Sequence, residues 1–252
     1  MNVAIIVPAR IGSTRFPKKL LHRIKDKPVI VWTADRIKQE APEFPLYFAV
    51  DHESLAEVLR QGGYEAIMTD ASHTCGTDRI AEANRRLNAR YVINVQADEP
   101  LVTGGHIRQL VELIQGGTEM ATLGTPVRYD KDYRNPNHVK LVCDGQGYAL
   151  YFSRAPIPYL RDTHGAFEAD VAAGIPVLIH LGLYAYSGAF LERFCTLSPG
   201  KLEQVEKLEM LRAMERGHRI KVGMTKEALI EIDTPEQAVE FEQVLTERFP
   251  SH

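Results

Sequence analysis

The stretch Val3-Ala-Ile-Ile-Val-Pro-Ala-Arg-Ile-Gly-Ser-Thr-Arg-Phe-Pro-Lys-Lys-Leu-Leu21 decides how the rest of the chain is read. It opens on an unbroken apolar run, Val3 to Val7, rich in β-branched residues. Such a run suits a strand buried on both faces, as in a parallel sheet covered by helices. The strand is expected to end at Pro8. The loop beyond it carries Arg10, Gly12, Ser13, Thr14, Arg15, Lys18 and Lys19. Four cations within ten residues, mixed with hydroxyls and a glycine, are ill suited to a core. They suit a loop that wraps a triphosphate, because N–H groups and cations meet phosphate oxygens and glycine lets the backbone approach. The carboxyl end of the first buried strand of an α/β protein is also where ligands bind. The plainer alternative is a solvated basic turn. The loop has neither the Walker A pattern nor the GxGxxG fingerprint, so neither of those phosphate folds is indicated.

Outward from this stretch, strands and helices alternate. Helices are expected from Pro28, with the stripe Val29, Ile30, Thr33, Ala34 and Ile37, and over Ser54–Gln61, Asp78–Leu87 and His106–Gln115. Strands are expected at Leu46–Val50, Ala66–Met68, Tyr91–Val95 and Met120–Leu123. This order specifies an α/β fold, a mostly parallel sheet with helices on both faces. The pattern then breaks. Residues 126–137 are irregular and charged, and Val139–Val142 with Tyr148–Phe152 suggests a hairpin across Asp144-Gly-Gln-Gly147. Residues 161–174 lack periodicity and suit a mobile loop, and Val177–Tyr186 could extend an antiparallel layer. We therefore expect one domain over 1–252 with a small inserted antiparallel subdomain at 127–184. A helix over Leu202–Arg216, capped by Gly217, strands at Arg219–Val222 and Ile230–Ile232, and a closing helix over Pro235–Phe249 complete the pattern.

At 252 residues, 44% hydrophobic and 25% charged with a net charge of −3, the chain is an ordinary globular protein able to bury a full core. It has no global basic excess, which argues against nucleic acid as a partner and makes any anion site local. Cys75, Cys143 and Cys195 have neither disulfide nor zinc spacing. No apolar stretch reaches the roughly 18 residues of a membrane span, and Met1-Asn2 runs straight into the first strand. A cytoplasmic protein with no membrane partner is expected.

Two carboxylates follow apolar strands, Asp98 after Tyr91–Val95 and Asp233 after Ile230–Ile232. Strand ends of a parallel sheet face one crevice, and two carboxylates beside a triphosphate cradle suit Mg²⁺. The alternatives are a turn acid for Asp98, before Pro100, and a helix N-cap for Asp233, before Thr-Pro-Glu236. His73-Thr-Cys-Gly-Thr-Asp-Arg79 enters a helix with Thr77 as its expected cap. Arg79, in the first turn, opposes the helix dipole and so should face a ligand or an acid.

Several stretches together resemble one family: Pro8 to Lys19; Gly76-Thr-Asp-Arg79; Asn94-Val-Gln-Ala-Asp-Glu-Pro100; Met120-Ala-Thr-Leu123; Tyr148-Ala-Leu-Tyr-Phe-Ser-Arg-Ala-Pro-Ile-Pro158; His180-Leu-Gly-Leu-Tyr184; Lys201 to Arg212; and Ile232-Asp-Thr-Pro-Glu236. The chain is similar nearly end to end to the 3-deoxy-manno-octulosonate cytidylyltransferases, the CMP-Kdo synthetases of lipopolysaccharide and capsule synthesis. The resemblance implies a nucleotide-diphospho-sugar transferase-like fold, with the inserted region serving dimerisation and the sugar site of a homodimer. It implies CTP and Mg²⁺, with pyrophosphate as co-product. By that resemblance Arg10, Ser13, Arg15 and Lys19 would hold the CTP phosphates, Thr69, Gly76 and Arg79 the cytidine, and Pro8, Ala9 and Gln96 would complete the nucleotide site. Asp98 and Asp233 would bind metal, with Gln96 nearby. Gln96, Arg154, His180, Tyr184, Glu209 and Met210 would meet the acid sugar. Arg10, Lys19, Asp98 and Asp233 would form the catalytic set.

The chain departs from the family at Lys18 and Leu20, where glycine and proline are usual, at Cys75 for serine and at Ala97 for glycine. Met210 stands where the family places a glutamine that contacts sugar. Methionine supplies neither the amide donors nor the carbonyl. Such a loss can shift discrimination by orders of magnitude, so a modified Kdo such as 8-amino-3,8-dideoxy-octulosonate becomes an alternative substrate. On residues alone, Glu203, Glu206 and Glu209 at i, i+3, i+6 form a solvated helix face, His180 and Tyr184 are packing residues, and Arg154 pairs with a structural acid. A silent nucleotide-binding homologue is a further alternative. A nicotinamide dehydrogenase is disfavoured by the missing glycine fingerprint.

Overall fold

The computed structural model describes residues 2–13, 15–168, 177–227 and 229–248. The chain divides into two compact units, residues 1–108 with 229–252, and residues 109–228. In the first unit β1 (Val3–Ala9) leads to a short ribbon, β2 (Arg23–Ile24) and β3 (Lys27–Pro28). Then come α1 (Val29–Glu40), β4 (Leu46–Val50), α2 (Glu53–Gln61), β5 (Glu65–Met68), α3 (Gly76–Leu87) and β6 (Tyr91–Asn94). The helix α4 (Gly104–Gln115) spans the boundary in sequence. The strands β6-β1-β4-β5 lie side by side and all run parallel.

Every residue of β1 is buried, as a strand with neighbours on both edges and helices on its faces must be. Each fully buried aliphatic there contributes roughly 1.5–3 kcal/mol. The strand runs through Pro8, which pairs opposite Ala49, and ends at Ala9, one residue later than Pro8 alone suggested. The predicted stripe of α1 is buried, joined by Trp32, whose indole N–H donates to Ile24 O at 2.9 Å. Thr33, buried on α1, donates to Ala97 O at 2.9 Å and so fixes the backbone just before Asp98.

The second unit holds β7 (Met120–Pro126), α5 (Asp130–Arg134), β8 (Lys140–Cys143), β9 (Ala149–Ser153), β10 (Leu178–Ser187) and α6 (Gly188–Thr196). It continues with α7 (Lys201–Glu206), α8 (Leu211–Met214) and β11 (Ile220–Met224). β7 pairs antiparallel with β10 and parallel with β11; β8 is antiparallel to both β9 and β10. The hairpin across residues 144–147 is present, with Gly147 in the left-handed region (φ +74°) that its turn requires. The chain returns to the first unit with α9 (Pro235–Arg248), whose Phe241 meets Trp32 edge-on. The fold is α/β, with parallel strands flanked by helices and an antiparallel portion, as the alternation predicted.

Five local expectations are corrected. Residues 130–134, expected to be irregular, form a helical turn, with Asp130 Oδ2 accepting from Arg134 Nε at 2.8 Å. The helix expected over 202–216 is broken: Lys207 turns left-handed (φ 55°), separating α7 from α8. Residues 230–232 are not a strand; the segment is tied by Ile232 N–H to Asp98 O at 3.0 Å. The cap of α3 is Cys75, not Thr77: its sulfur accepts from Asp78 N–H. Thiol here does the work of a serine hydroxyl. Glu203 and Glu206 are not a solvated row, because Arg212 pairs with the first and Ser153 and Arg154 with the second. Part of the loop expected over 161–174 lies outside the described residues.

Candidate active site

In a parallel sheet all carboxyl strand ends share one edge. Beyond β1 come Arg10 and the basic loop, beyond β4 Asp51, beyond β5 Thr69, and beyond β6 Gln96 and Asp98. Pro8, Ala9, Arg10, Gly76, Arg79 and Gln96 line one cavity of about 230 Å³, together with His73, Thr74 and Cys75. Gly76 sits close against β1: a Cβ there would lie 3.2 Å from the Pro8 ring, a tight contact. Arg79 is buried and donates to Thr69 Oγ1 at 2.8 Å, while Asp51 stands 3.5 Å from its other terminal nitrogen. The acid foreseen for Arg79 is therefore Asp51, which also accepts from Ile11 N–H at 2.9 Å and so ties the basic loop to α3. Thr69 donates to Val50 O while accepting from Arg79, so its hydroxyl is engaged in fixing that arginine. Ser13 is half-buried and Arg10 exposed on the loop.

Lys19 follows Lys18, which adopts the left-handed conformation (φ 53°), and opens a single 3-10 turn. Its ammonium bridges the carboxylates of Asp98 and Asp233, and Arg15 pairs with Asp233 from the solvent side. Burial lowers the Lys19 pKa, but Asp98 and Asp233 more than reverse this and raise it above the ordinary lysine value. Burial pushes Asp233 up, and the Lys19 bond and charge bring it below the usual carboxylate range.

Asp233 is not spent on capping α9. Thr234 Oγ1 accepts from Gln237 N–H, and Gln237 Oε1 accepts from the backbone of Asp233 and Thr234. The capping alternative belongs to Thr234, and the Asp233 carboxylate is free to face Lys19. Sequence reasoning missed Glu231. One carboxylate oxygen each from Asp98, Glu231 and Asp233 lies within 4.8 Å of the others. A signal was present: in the strand expected over 230–232 and ending at Asp233, positions 231 and 233 fall on one face. Burial, Asp98 and Asp233 push the Glu231 carboxyl upward, although the residue as a whole is exposed and solvent screens part of that effect. Burial, then Asp98 and Glu231, hold Glu99 well above the carboxylate range, with its Oε2 unpartnered among the described residues. This all-oxygen donor set, with more acid than its cations balance, fits a hard divalent ion and not a soft one.

The remaining expected residues lie in the second unit. His180 packs between Phe152 and Tyr184, each ring centroid 5.2 Å away. Its Nε2 is 3.0 Å from Thr122 Oγ1, whose only proton goes to Leu183 O at 2.6 Å. The imidazole must then donate through Nε2, which leaves Nδ1 as an acceptor. Burial pushes its pKa down to about 3, so His180 is a neutral hydrogen-bonding group and not a cation for a carboxylate. Arg154 is held by Glu206: its N–H donates to the carboxylate at 3.0 Å and its Nε to the carbonyl at 2.8 Å. No hydrogen bond or ion pair joins Arg154 to His180 among the described residues. Glu209 is half-buried with its Oε1 enclosed, and Met210 is buried at the start of α8.

A family model described as cytidylyltransferase matches residues 4–220. The chain belongs to the cytidylyltransferase family. Its place among the CMP-Kdo synthetases follows from full-length relatives. An 8-amino-3,8-dideoxy-manno-octulosonate cytidylyltransferase of Shewanella sp. (strain ANA-3) is 41% identical over 251 residues, covering 97% of this chain and 99% of the relative. A 3-deoxy-manno-octulosonate cytidylyltransferase of Acaryochloris marina is 42% identical over 242 residues, covering 95% of each. A solved CMP:2-keto-3-deoxy-manno-octonic acid synthetase complexed with CTP superposes with a TM-score of 0.90 at 31% identity, covering 99% of this chain and 100% of that one. A 4-diphosphocytidyl-2C-methyl-D-erythritol synthase from Anaerococcus prevotii, 12% identical with a TM-score of 0.63, shares the fold alone. The cytidylyltransferase is thus a nucleotidyltransferase, and no helix among its described residues is long and apolar enough to cross a membrane.

Proposed function

We propose that this cytidylyltransferase transfers CMP from CTP to the anomeric hydroxyl of an octulosonic acid, releasing pyrophosphate, and that 8-amino-3,8-dideoxy-octulosonate is its preferred acceptor. The observation that carries the reaction is the meeting of Lys19 with Asp98 and Asp233 at the strand ends, beside a basic loop and a small cavity. Arg10, Ser13, Arg15 and Lys19 bind the triphosphate, and their charge offsets what builds on the transferring phosphoryl group. The cavity between Pro8, Gly76 and Arg79 takes the cytosine end of the nucleotide. Asp98 and Asp233, with Glu231, would hold Mg²⁺, which supplies Lewis-acid neutralisation of phosphate charge when bound. The sugar hydroxyl attacks the α-phosphorus in line as pyrophosphate leaves. Arg154, the Nδ1 acceptor of His180, Tyr184 and Glu209 orient the acid sugar.

Acceptor choice is supported by Met210, a buried thioether where an amide would serve a hydroxyl, and by the names of the Shewanella relatives. Pyrophosphate release with CTP and Mg²⁺ tests both parts, comparing Kdo, its 8-amino analogue and a sialic acid. Turnover favouring the amino sugar is expected. Preference for Kdo would leave the reaction and remove the acceptor assignment; CTP binding without release from any sugar would favour a silent homologue. The enzyme works as a homodimer built through residues 127–184. In support, Tyr129, Leu150 and Tyr159 within that segment are 61%, 60% and 69% exposed. Sedimentation as a monomer at micromolar concentration would refute the dimer.

A further inference from the structure

Lys140 opens β8, opposite Ser153 of β9 and Ile179 of β10, and its side chain is completely buried. Lysine is almost never placed so, because its ammonium loses water. Here all three N–H bonds are used. They donate to Asn135 O at 2.7 Å, His138 O at 2.6 Å and Arg154 O at 2.8 Å. Burial, then the nearby Arg154 charge, lowers the Lys140 pKa, while Glu206 raises it. An apolar side chain of similar length would fill the volume without the desolvation, so packing alone does not account for a lysine.

What the ammonium holds is specific. Asn135 O and His138 O bracket Pro136, whose own carbonyl accepts from Arg154 Nη1 at 3.0 Å. Lys140 therefore pins both the backbone of Arg154 and the turn that receives its guanidinium. With the two Glu206 contacts, Arg154 is fixed at its carbonyl, its N–H, Nε and Nη1. Nη2 is the one guanidinium nitrogen without a partner among the described residues. A guanidinium held this way presents a single aimed donor, which suits a carboxylate approaching from one side.

We propose that Lys140 is a positioning residue for acceptor binding: its buried ammonium locks Arg154 and the 135–138 turn so that Arg154 Nη2 is presented to the carboxylate of the acid sugar. This rests on the assignment of Arg154 to the sugar. In steady-state kinetics, Lys140→Met should raise the sugar KM by about tenfold or more, since small misplacement of a positioning group is costly. The CTP KM should stay within about twofold, because the expected nucleotide residues lie in the other unit. In an Arg154→Ala background the same substitution should add nothing further to the sugar KM, the signature of two residues acting as one. An unchanged sugar KM, equal losses on both substrates, or additive losses in the double variant would each overturn the proposal. Should Lys140→Met give no soluble protein, Lys140→Arg carries the same comparison: a raised sugar KM with CTP KM held supports it, and an unmoved sugar KM overturns it. Failure of the functional assignment looks different, as wild-type protein would then release no pyrophosphate with any octulosonic acid.

Discussion

Asp98 does two jobs at once. Its carbonyl accepts from Ile232 N–H, which holds the 230–233 segment against the end of β6, and its carboxylate pairs with Lys19. The first is a backbone contact that survives side-chain replacement; the second does not. Asp98→Asn should therefore keep the circular dichroism and cooperative unfolding of the wild type while lowering kcat by about 100-fold or more, the scale of losing one electrostatic contact at the reacting centre. Its affinity for Mn²⁺, followed by electron paramagnetic resonance, should fall with it. Loss of cooperative unfolding instead would make Asp98 structural. Met210 poses the opposite problem, a missing polar group. Met210→Gln restores an amide at a buried position of matching length, and it should move the ratio of kcat/KM for Kdo over the 8-amino sugar toward Kdo by about tenfold or more. An unmoved ratio would mean that Met210 only packs.

At the scale of elements, caps and breaks decide what is displayed. Thr234 caps α9 and thereby releases Asp233 to Lys19. Thr234→Ala should cost about 0.5–2 kcal/mol in urea unfolding, the usual loss of a cap. The break between α7 and α8 has a similar logic. The apolar spacing Leu202, Val205, Leu208 continues through Lys207, so periodicity alone predicts one helix. What ends it is tertiary: Glu203 is drawn to Arg212, and Glu206 to Ser153 and Arg154. A residue held at φ 55° is strained unless it is glycine. Lys207→Gly should stabilise the chain by up to about 1 kcal/mol, net of glycine's extra chain entropy, as a shift in the urea midpoint at constant slope. A destabilised variant would show that the Lys207 side chain matters more than its backbone.

Across the whole molecule, the main strands and helices of the first unit up to β6 were legible, because two-face burial leaves long apolar runs that polar strand ends punctuate. The basic loop and both predicted acids meet there, as Lys19 with Asp98 and Asp233. Glu231 and Asp51 escaped because they matter through partners distant in sequence, and Lys140 because nothing local marks a lysine as buried. The same excess of buried acid sets a pH dependence. Burial, Asp98 and Glu231 raise the Glu99 pKa in the folded chain above its unfolded value of about 4.5. Its neutral form is favoured by folding, so the stability it contributes is full below about 4.5 and is lost as pH rises toward the folded value. His180 works the other way: with a folded value near 3 against 6.5 unfolded, its contribution is full above 6.5 and is lost as pH falls. The two are separable because His180 is common to the wild type and a Glu99 variant, so its titration cancels in the difference between them. Glu99→Gln keeps the shape and removes the titration. In metal-free urea unfolding followed by Trp32 fluorescence at pH 5, 6, 7 and 8, the variant should gain on the wild type as pH rises, by at most about 1.4 kcal/mol per pH unit. A gap that stays constant with pH would show Glu99 ionising at its ordinary value, and the acidic cluster would then carry one more negative charge toward its cation than the buried geometry implies.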